Sequence, residues 1–506
     1  MPGTSQAWRC SVCGYVHSGP QPPAACPVCG APRELFQPHS APAPSAAAGA
    51  SQWRCQVCGY VHVGVQPPTQ CPSCGAAAER FEPLGETPAT AADAAKAPRV
   101  LILGAGIAGI AAVESLRAAA PAAEITVLSK EREPPYYRLN LTRYLAGEIG
   151  EQDLPLHTAA WYEQEKVRLR LGAGASAINL PDHVVELHGG EKLPFDKLLL
   201  AAGAHPFIPP FPGTDRKGVT SLRTVDDARG ILAACRAGAK CVCIGGGLLG
   251  LETAGALVRQ GADVTLLEGH AWLLPRQLNQ RAGEILDAYV AGIGVKLRTA
   301  ALTREIVGGE RVQAVLLEDG RRIPADLVVI ATGIRPNSHL ARRAGLAVNQ
   351  GVLVDNRLAT SHPDVWAAGD VAEHQGQVYG IWGPSQYQGS IAGLNMAGGS
   401  VQFGGVPRSN TLKVLGLDMF SIGQVNPEDA SFRACDIEAE GSYCRFVIHD
   451  NRLVGAVLLG DTKLTATVKE AVEGKKDLSE FVGSVQPLMS GPAADEMGKL
   501  RYGDGS

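Results

Sequence analysis

Residues 99–131 read RVLILGAGIAGIAAVESLRAAAPAAEITVLSKE, and this stretch decides the fold of the largest part of the chain. The apolar strand RVLIL runs into the glycine pattern GAGIAG, a helical run follows, and a second strand, EITVL, comes next. Glycines at these spacings let a pyrophosphate approach the main chain at the N-terminus of the helix. The stretch therefore predicts a βαβ unit that binds a dinucleotide through Gly104, Gly106 and Gly109.

The pattern returns in residues 240–268, which read KCVCIGGGLLGLETAGALVRQGADVTLLE. Gly245, Gly247 and Gly250 are predicted to contact a second dinucleotide, and Glu268 lies 18 residues beyond the last of them. An acid at that place binds the adenosine ribose hydroxyls. No Arg or Lys follows in residues 269–271 to hold a 2′-phosphate, so the pattern favours NADH over NADPH.

In the first unit the corresponding acid position holds Ser129. Glu131, two residues later, is the predicted ribose ligand, and a solvated surface glutamate is the alternative interpretation.

Three further stretches each contain a predicted buried strand. Two of them lie where the chain is expected to cross between the two dinucleotide domains, and the third lies just before a helix. LLLAAGAHPFIPPFPG (198–213) and LVVIATGIRPN (327–337) each put a buried strand before Ala-x-Gly, where the chain is expected to cross between the two domains. VWAAGDVA (365–372) ends a strand at Gly369 and Asp370, close to a helix N-terminus that favours phosphate.

Residues 98 to about 490 resemble the NADH:rubredoxin oxidoreductase and nitrite-reductase flavodomain branch of the FAD-dependent pyridine-nucleotide oxidoreductases. Besides the two glycine patterns, the resemblance rests on PPYYRLNLTRYLAGE (134–148), GGGLLGLETA (245–254) and TLKVLGLDMFSIGQV (411–425). It implies an α/β fold with two Rossmann-like domains of glutathione-reductase type, FAD on the first and NADH on the second. A small α+β C-terminal reductase domain would follow.

The resemblance also implies roles for individual residues. Glu252 would lie near the nicotinamide carboxamide, and Asp370 would accept hydrogen bonds from the flavin ribitol. Trp382 is a candidate neighbour of the flavin ring, with a core tryptophan as the equal alternative. The implied FAD contacts are Gly104, Gly106, Gly109, Glu131, Arg138, Gly203 and Asp370; the implied NADH contacts are Gly247, Gly250, Glu252 and Glu268; Gly245, Gly333 and Gly369 complete the predicted set.

The flavin domain carries no redox cysteine. Disulfide reductases of this superfamily have Cys-x4-Cys, and related peroxidases a single cysteine, where residues 136–147 read YYRLNLTRYLAG. Arg143 stands where ferredoxin-reductase relatives usually have lysine, which leaves a lysine-like role at the flavin in doubt. With no thiol beside the flavin, electrons are expected to leave by another route, and a general acid–base catalytic residue is not expected.

The first 83 residues contain one cysteine-rich unit twice, starting at Trp8 and at Trp53 and identical at 21 of 31 positions. Each copy has two Cys-x-x-Cys-Gly turns, which together can hold one metal ion in a closed tetrahedral site of four thiolates. The predicted ligands are Cys10, Cys13, Cys26 and Cys29 in the first unit, and Cys55, Cys58, Cys71 and Cys74 in the second.

Geometry alone allows zinc or iron in such a site. The flanking aromatics Trp8/Phe36 and Trp53/Phe81 could shield an Fe(SCys)4 centre, and both units resemble the short-loop rubredoxin modules of rubrerythrins. That resemblance favours two iron ions, and a structural zinc ribbon remains the alternative. The other five cysteines are unpatterned and are interpreted as small buried hydrophobes in a reducing cytoplasm.

Composition excludes several classes of function. The formal net charge is −4, and residues 1–98 contain five basic and five acidic side chains, so no nucleic-acid footprint is visible. No apolar run approaches a membrane span, and we expect a cytoplasmic protein without membrane contact.

The segments 38–51 and 83–98 are rich in Ala, Pro, Gly and Thr without apolar periodicity and are predicted to be linkers. The predicted order is module 1 (1–38), linker (39–51), module 2 (52–84), linker (85–97), the first segment of the FAD-binding domain (98–213), the NAD-binding domain (214–336), the second segment of the FAD-binding domain (337–406), the C-terminal reductase domain (407–490) and a tail (491–506).

The sequence thus predicts an NADH:rubredoxin oxidoreductase fused to its own rubredoxins. Electrons would pass from NADH through FAD to two Fe(SCys)4 centres, each accepting one electron, and on to an external redox protein. One alternative is a flavoprotein reductase whose N-terminal modules are zinc ribbons that dock a partner. Another is a nitrite-reductase-like electron-transfer component.

Overall fold

The computed structural model describes residues 7–10, 16–18, 21–22, 33, 36–39, 51–55, 61–63, 66–67, 78, 81–86, 97–405, 409–427, 429–439, 441–474 and 476–485. The chain divides into two compact units, one made of Ala92–Val406 and the other of Met1–Ala91 together with Pro407–Ser506. None of the helices in these ranges combines the length and the apolar character needed to cross a bilayer.

Each N-terminal module contains a three-stranded antiparallel sheet with its first strand in the centre. The strands are β1 (Ala7–Cys10), β2 (Val16–Ser18) and β3 (Phe36–His39) in the first module, and β4 (Ser51–Cys55), β5 (Val61–Val63) and β6 (Phe81–Glu86) in the second. The repeated sequence therefore forms the same sheet twice.

The strands run slightly further than the predicted module boundaries. His39 lies in β3 and Ser51 in β4, and β6 continues to Glu86, which pairs with Ser51. Composition places residues 39, 51, 85 and 86 in linkers, because their surroundings are rich in Pro and Gly. Proline is tolerated in an edge strand, which β6 is, so this composition does not prevent pairing. The rest of both predicted linkers and the predicted tail lie outside the described residues.

The first dinucleotide domain is built on a five-stranded parallel sheet of order β25 (Val365–Ala367), β13 (Lys197–Leu200), β7 (Arg99–Leu103), β8 (Glu124–Leu128) and β9 (Val167–Arg170). Its elements before the crossing are β7 (Arg99–Leu103), α1 (Ile107–Ala119), β8 (Glu124–Leu128), α2 (Leu141–Leu145), α3 (Ala159–Gln164), β9 (Val167–Arg170), β10 (Ala175–Asn179), β11 (Val184–Leu187), β12 (Lys192–Pro194), β13 (Lys197–Leu200) and β14 (Ala204–Pro206). The strand, glycine turn, helix and strand that residues 99–131 predict are all present.

The second dinucleotide domain repeats this plan with a parallel sheet of order β15-β22-β16-β17-β18. Its elements are β15 (Val219–Thr220), α4 (Val225–Ala234), β16 (Lys240–Ile244), α5 (Leu248–Arg259), β17 (Asp263–Leu267), α6 (Gln280–Gly292), β18 (Lys296–Arg298), β19 (Thr303–Gly308), β20 (Val312–Leu317), β21 (Arg322–Pro324), β22 (Leu327–Ile330) and β23 (Ile334–Pro336). Thr224 and Asp227 start α4 with a capping box, in which each side chain accepts the other residue's backbone N–H.

The chain then returns to the first dinucleotide domain through α7 (His339–Arg343), β24 (Val352–Val354), β25 (Val365–Ala367), β26 (Ala372–His374) and α8 (Trp382–Met396). The two predicted crossings meet, because β14 and β23 pair as a two-stranded antiparallel ribbon. On α8, Gly389 and Gly393 allow very close packing on α1, since an added Cβ would lie 2.1 Å from the carbonyl oxygen of Ala108 and 2.4 Å from that of Ala112.

The C-terminal domain is an antiparallel sheet of order β27-β28-β31-β30-β29 with two helices. Its elements are β27 (Ser409–Val414), β28 (Leu417–Gly423), β29 (Arg433–Ala439), β30 (Ser442–His449), β31 (Arg452–Leu459), α9 (Thr465–Glu473) and α10 (Leu478–Val485). Phe420, Phe446 and Phe481 are fully buried in its core. The α+β character predicted for this domain is confirmed.

Candidate functional site

The first glycine turn combines two closed positions with one open position. A Cβ added to Gly104 would lie 2.1 Å from the carbonyl oxygen of Ala201, and one added to Gly109 would lie 2.0 Å from that of Gly104. Both positions therefore require glycine for backbone packing. Gly106 has no atom within 4 Å of an added Cβ, so its face is open at the N-terminus of α1. This is the arrangement that admits a pyrophosphate.

The second glycine turn has the same geometry. A Cβ added to Gly245 would lie 2.5 Å from the carbonyl oxygen of Ala331. A Cβ added to Gly250 would lie 1.9 Å from the carbonyl oxygen of Gly245. Gly247 again has nothing within 4 Å. The two glycine turns thus share one geometry, and each is followed by the N-terminus of a helix, α1 or α5. We call them the first cradle (residues 104–109) and the second cradle (residues 245–250).

Glu268 directly follows β17, is buried, and is hydrogen-bonded to the second glycine turn. One carboxylate oxygen accepts the backbone N–H of Gly246 and the other accepts that of His270, both at 2.8 Å. The carboxylate is thereby fixed beside the glycine turn, the position from which a ribose is bound. These contacts support the predicted NADH contact at Glu268.

The first domain replaces this carboxylate with the buried hydroxyl of Ser129, which accepts the backbone N–H of Glu131 at 3.2 Å. The carboxylate of Glu131 accepts the hydroxyl of Tyr136 at 2.5 Å and Arg138 Nη2 at 2.7 Å. Glu131 is therefore held in a polar cluster, which argues against the alternative of a freely solvated glutamate. Burial raises the pKa of Tyr136, so this hydroxyl stays protonated as a donor.

Asp370 closes the other side of the first cradle. Arg223 Nη2 donates to one of its oxygens at 2.9 Å, and the buried Ser385 hydroxyl donates to the other at 3.1 Å. Arg138 in turn donates to the main-chain carbonyl of Arg223. A polar chain therefore joins Glu131 to Asp370 across one wall of the domain.

Gly369 and Gln388 support a fit of FAD to this cradle. The side-chain oxygen of Gln388 accepts the N–H of Gly369 at 2.8 Å, while its buried Nε2 has no protein partner. A buried amide donor without a partner is costly unless something binds it. The open face at Gly106 and this unused donor, both beside a helix N-terminus, fit a bound dinucleotide diphosphate.

Gly203 and Gly333 lie at the two crossings. Asn337 N–H donates to the carbonyl of Gly203, and Phe207 N–H donates to that of Gly333, both at 2.9 Å. These bonds flank the β14–β23 ribbon. The structure thus places both glycines where the two domains join, and their contacts with a cofactor remain predictions.

Glu252 connects the two domains. Its carboxylate accepts the Thr142 hydroxyl at 2.8 Å, so a residue of α5 is bonded to one of α2. Burial raises the pKa of Glu252, and the Thr142 bond lowers it by a smaller amount. Arg143, next to Thr142 on α2, donates from Nε to Glu148 at 3.0 Å.

Replacing Glu252 by glutamine is expected to stabilise the protein at alkaline pH. The folded-state pKa lies above its unfolded value, so ionising the buried carboxyl costs stability as pH rises through the folded pKa. The melting temperature of E252Q should exceed that of the wild type by a few degrees at about pH 8, and the gain should fade near pH 4. Equal gains at both pH values would contradict this, and Glu284→Gln, at an exposed position of α6, serves as the control.

The five cysteines outside the modules are free thiols. Cys241, Cys243 and Cys444 are buried, and burial raises the pKa of Cys241 to about 12 and of Cys444 to about 11. Such thiols are protonated and unreactive at neutral pH. The interpretation as small buried hydrophobes fits these three cysteines, whereas Cys235 and Cys435 are only half-buried.

His183, His362 and Asp364 form a separate cluster whose possible ligand atoms lie within 4.8 Å of one another. Asp364 N–H donates to His362 Nδ1 at 3.2 Å, which places the proton of the neutral ring on Nε2. The ring of His183 stacks on Phe195, and Lys197 interacts with the Asp364 carboxylate. These contacts favour a hydrogen-bonded turn over a metal site.

The predicted thiolate ligands fall largely outside the described residues. Cys10 and Cys55 occupy the last positions of β1 and β4, and the structure describes only their main chain. Cys13, Cys26, Cys29, Cys58, Cys71 and Cys74 lie in undescribed segments, so the ligand set remains a prediction.

Sequence reasoning did not identify Tyr136, Thr142, Arg223, Ser385 and Gln388 as parts of these sites. Tyr136 could have been found, because it precedes Arg138 by two residues in the same motif. Thr142 contacts Glu252 across 110 positions, and Arg223 contacts Asp370 across 147 positions. No local pattern signals pairs so distant.

Three family models match the chain. Residues 98–392 match the pyridine nucleotide-disulphide oxidoreductases, and residues 409–476 match the rubredoxin NAD+ reductase C-terminal domain. Residues 8–37 and 53–82 each match the rubrerythrin, rubredoxin-like domain.

Individual relatives point the same way. Nitrite reductase [NAD(P)H] of Bacillus subtilis is 35% identical over 77% of this chain and 49% of its own length. NADH-rubredoxin oxidoreductase of Clostridium acetobutylicum is 30% identical over 76% of this chain and 97% of its own. The crystal structure of that clostridial protein superposes with a TM-score of 0.66 at 29% identity, covering 76% of this chain and 97% of its own. The chain spans about half the length of the nitrite reductases and of a nitrate-reductase electron transfer subunit among its relatives.

Proposed function

The chain belongs to the pyridine nucleotide-disulphide oxidoreductase family, and from that premise we propose that it is an NADH:rubredoxin oxidoreductase fused to its own rubredoxins. Electrons would pass from NADH through FAD to two iron centres and then to an external redox protein. One observation carries the proposal: two rubredoxin-like modules and a rubredoxin-reductase C-terminal domain share a chain with two dinucleotide cradles.

FAD and NADH suit the two cradles in different ways. FAD, when bound, converts a two-electron hydride donor into a source of single electrons. Arg138, Arg223 and Asp370 would orient it on the first cradle, with Gln388 supplying a buried amide donor. Glu268 would hold the ribose of NADH on the second cradle, because its carboxylate is already fixed there.

The number of electrons that NADH donates equals the number that two iron centres can accept, which supports the two modules as electron acceptors. One hydride carries two electrons, and a ferric ion held by four thiolates accepts one. Two modules therefore take up all the electrons from one NADH without an external acceptor. The absence of cysteine from residues 129–148 removes the thiol route that disulfide reductases use.

The test is an anaerobic stopped-flow experiment with iron-loaded protein and one equivalent of NADH. Flavin bleaching followed by loss of the ferric absorption bands is expected. Rapid flavin bleaching beside colourless modules, or beside ferric bands that persist, would reject the internal route. That result would favour the alternative in which the modules are zinc ribbons that bind a partner.

The rate of electron transfer from the flavin to the modules should depend more on the length of the linker than on the ionic strength. Residues 1–98 carry equal numbers of basic and acidic side chains, so long-range electrostatic steering should be weak. Doubling the segment 87–97, which follows β6, should lower the transfer rate by about threefold, since effective concentration falls roughly as the −3/2 power of length. Raising the ionic strength tenfold should change that rate by less than about twofold. A steep salt dependence would contradict the proposal of tethered delivery.

A further inference from the structure

Thr142 and Glu252 are joined by a hydrogen bond between the two dinucleotide domains. The Thr142 hydroxyl donates to Oε2 of Glu252 at 2.8 Å, and Thr142 itself is buried on α2. Burial raises the pKa of Glu252, whereas donation by Thr142 lowers it, which favours the ionised carboxylate. Because an ionised carboxyl group only accepts hydrogen bonds, Thr142 keeps Glu252 available as an acceptor.

The second oxygen of this carboxylate is open to a further donor. Among the described residues, none donates a hydrogen bond to Oε1 of Glu252, and this oxygen is not one of the buried atoms that lack a partner. Glu252 as a whole is only half-buried. A carboxylate with one oxygen fixed and the other open is preorganised for one N–H donor.

Glu252 lies where the nicotinamide end of NADH is expected. Glu268 is fixed at the ribose side of the second cradle, and the open face at Gly247 suits the pyrophosphate. Glu252 lies in the second turn of α5 and is bonded to α2, which belongs to the FAD-binding domain. Because hydride transfer requires the nicotinamide to meet the flavin, that end of NADH has to reach the boundary at which Glu252 and Thr142 touch.

Two exposed leucines flank this contact. Leu139 precedes Thr142 by three residues and is 55% exposed, and Leu249 precedes Glu252 by three residues and is 39% exposed. Side chains three apart lie on one side of a helix, and the Thr142 hydroxyl lies 3.5 Å from the carbonyl oxygen of Leu139. The carboxylate is thus flanked by accessible apolar side chains, which suits a flat ring that carries an amide.

We propose that Thr142 is a positioning residue for the reaction with NADH, and that its hydroxyl fixes Glu252 so that Oε1 accepts the amide N–H of the nicotinamide. Thr142 acts through Glu252 and needs no contact of its own with NADH. Without this bond the carboxylate would have to be ordered at the moment of binding, which costs affinity. The inference rests on the proposed binding of NADH to the second cradle and adds the residue that orients its nicotinamide end.

Two ligands separate the nicotinamide end from the rest of the molecule. NAD+ carries the amide, whereas ADP-ribose has the same adenosine and pyrophosphate without nicotinamide. Neither reduces the flavin, so isothermal titration of the oxidised, FAD-loaded full chain measures binding without turnover. Thr142→Val should weaken NAD+ binding by about three- to tenfold, the equivalent of one hydrogen bond, and leave ADP-ribose binding unchanged.

A conservative variant and a modified ligand identify the hydroxyl as the cause. T142S retains the hydroxyl and should bind NAD+ within about twofold of the wild type. An NAD+ analogue with an acetyl group in place of the amide has no N–H donor there, so its affinity should not respond to T142V. Thr253→Val is the matched control, because the Thr253 hydroxyl donates to the carbonyl of Leu249 within α5. T142A removes the same hydroxyl and replaces T142V if thermal unfolding shows that T142V does not fold.

Three results would overturn the inference. They are equal losses of NAD+ and ADP-ribose binding in T142V, unchanged NAD+ affinity in folded T142V or T142A, and NAD+ binding by T142S as weak as that by T142V. Failure of the wild type to bind ADP-ribose would reject the proposed NADH site itself. Because no readout involves the modules or an acceptor, failure here is also distinct from failure of the proposed electron route.

Discussion

Replacing Cys10, Cys13, Cys55 and Cys58 by serine is expected to abolish electron transfer to the modules. Reduction of the flavin by NADH should stay unchanged. Each module loses two of its four predicted thiolates, and a tetrahedral site cannot retain iron with the remaining pair. The ferric absorption should disappear, and transfer to an external rubredoxin-type acceptor should fall to background. Stopped-flow spectra with NADH separate the two steps.

Variants of single modules give a quantitative form of the same prediction. C10S/C13S or C55S/C58S should each halve the loss of ferric absorbance per chain, because one iron ion takes up one electron. Cys435→Ser is the control, since that half-buried thiol lies in the C-terminal domain. Equal activity of all variants toward the external acceptor would show that the modules are not on the route.

Two neighbouring glycines should respond in opposite ways to the same substitution. Gly106→Val is expected to leave the fold intact, because nothing lies within 4 Å of an added Cβ, yet to fill the space for a pyrophosphate. FAD affinity should fall by at least about a hundredfold, or about 2.7 kcal/mol. Isothermal titration of the flavin-free protein with FAD measures this change.

Gly109→Ala supplies the contrast. Its Cβ would lie 2.0 Å from the carbonyl oxygen of Gly104, so α1 must move away from the glycine turn. Stability should fall by about 1–3 kcal/mol, the usual cost of overpacking, even without FAD. Gly106→Val with reduced stability, or Gly109→Ala with unchanged stability, would show that the two positions have been assigned wrongly.

Local patterns predicted the fold well because its units are local. The sequence around Gly104 and Gly245 determines a strand, a turn and a helix within about 30 residues, and the parallel sheets follow from two such units. The two connections between the dinucleotide domains could also be predicted from the sequence, because each combines a buried strand with Ala-x-Gly. Strand β6 runs on to Glu86, beyond the point where the composition changes, because strand pairing, and not composition, decides where an edge strand ends.

The sites were only partly predictable. Glu268 and Asp370 follow strands and are signalled by position, whereas their anchoring partners come from other elements. Thr142 and Arg223 carry no motif of their own, and their role arises from the docking of one domain on the other. Tertiary contacts of this kind become visible only in three dimensions.

The paired crossings between the two dinucleotide domains determine how those domains can move. β14 and β23 are hydrogen-bonded to each other, so the two connections form one ribbon between the domains. A ribbon of two strands bends and twists more easily than it slides, because sliding breaks its main-chain hydrogen bonds. We therefore expect the two dinucleotide domains to move against each other by bending at this ribbon, with the bond between Thr142 and Glu252 as a second link between them.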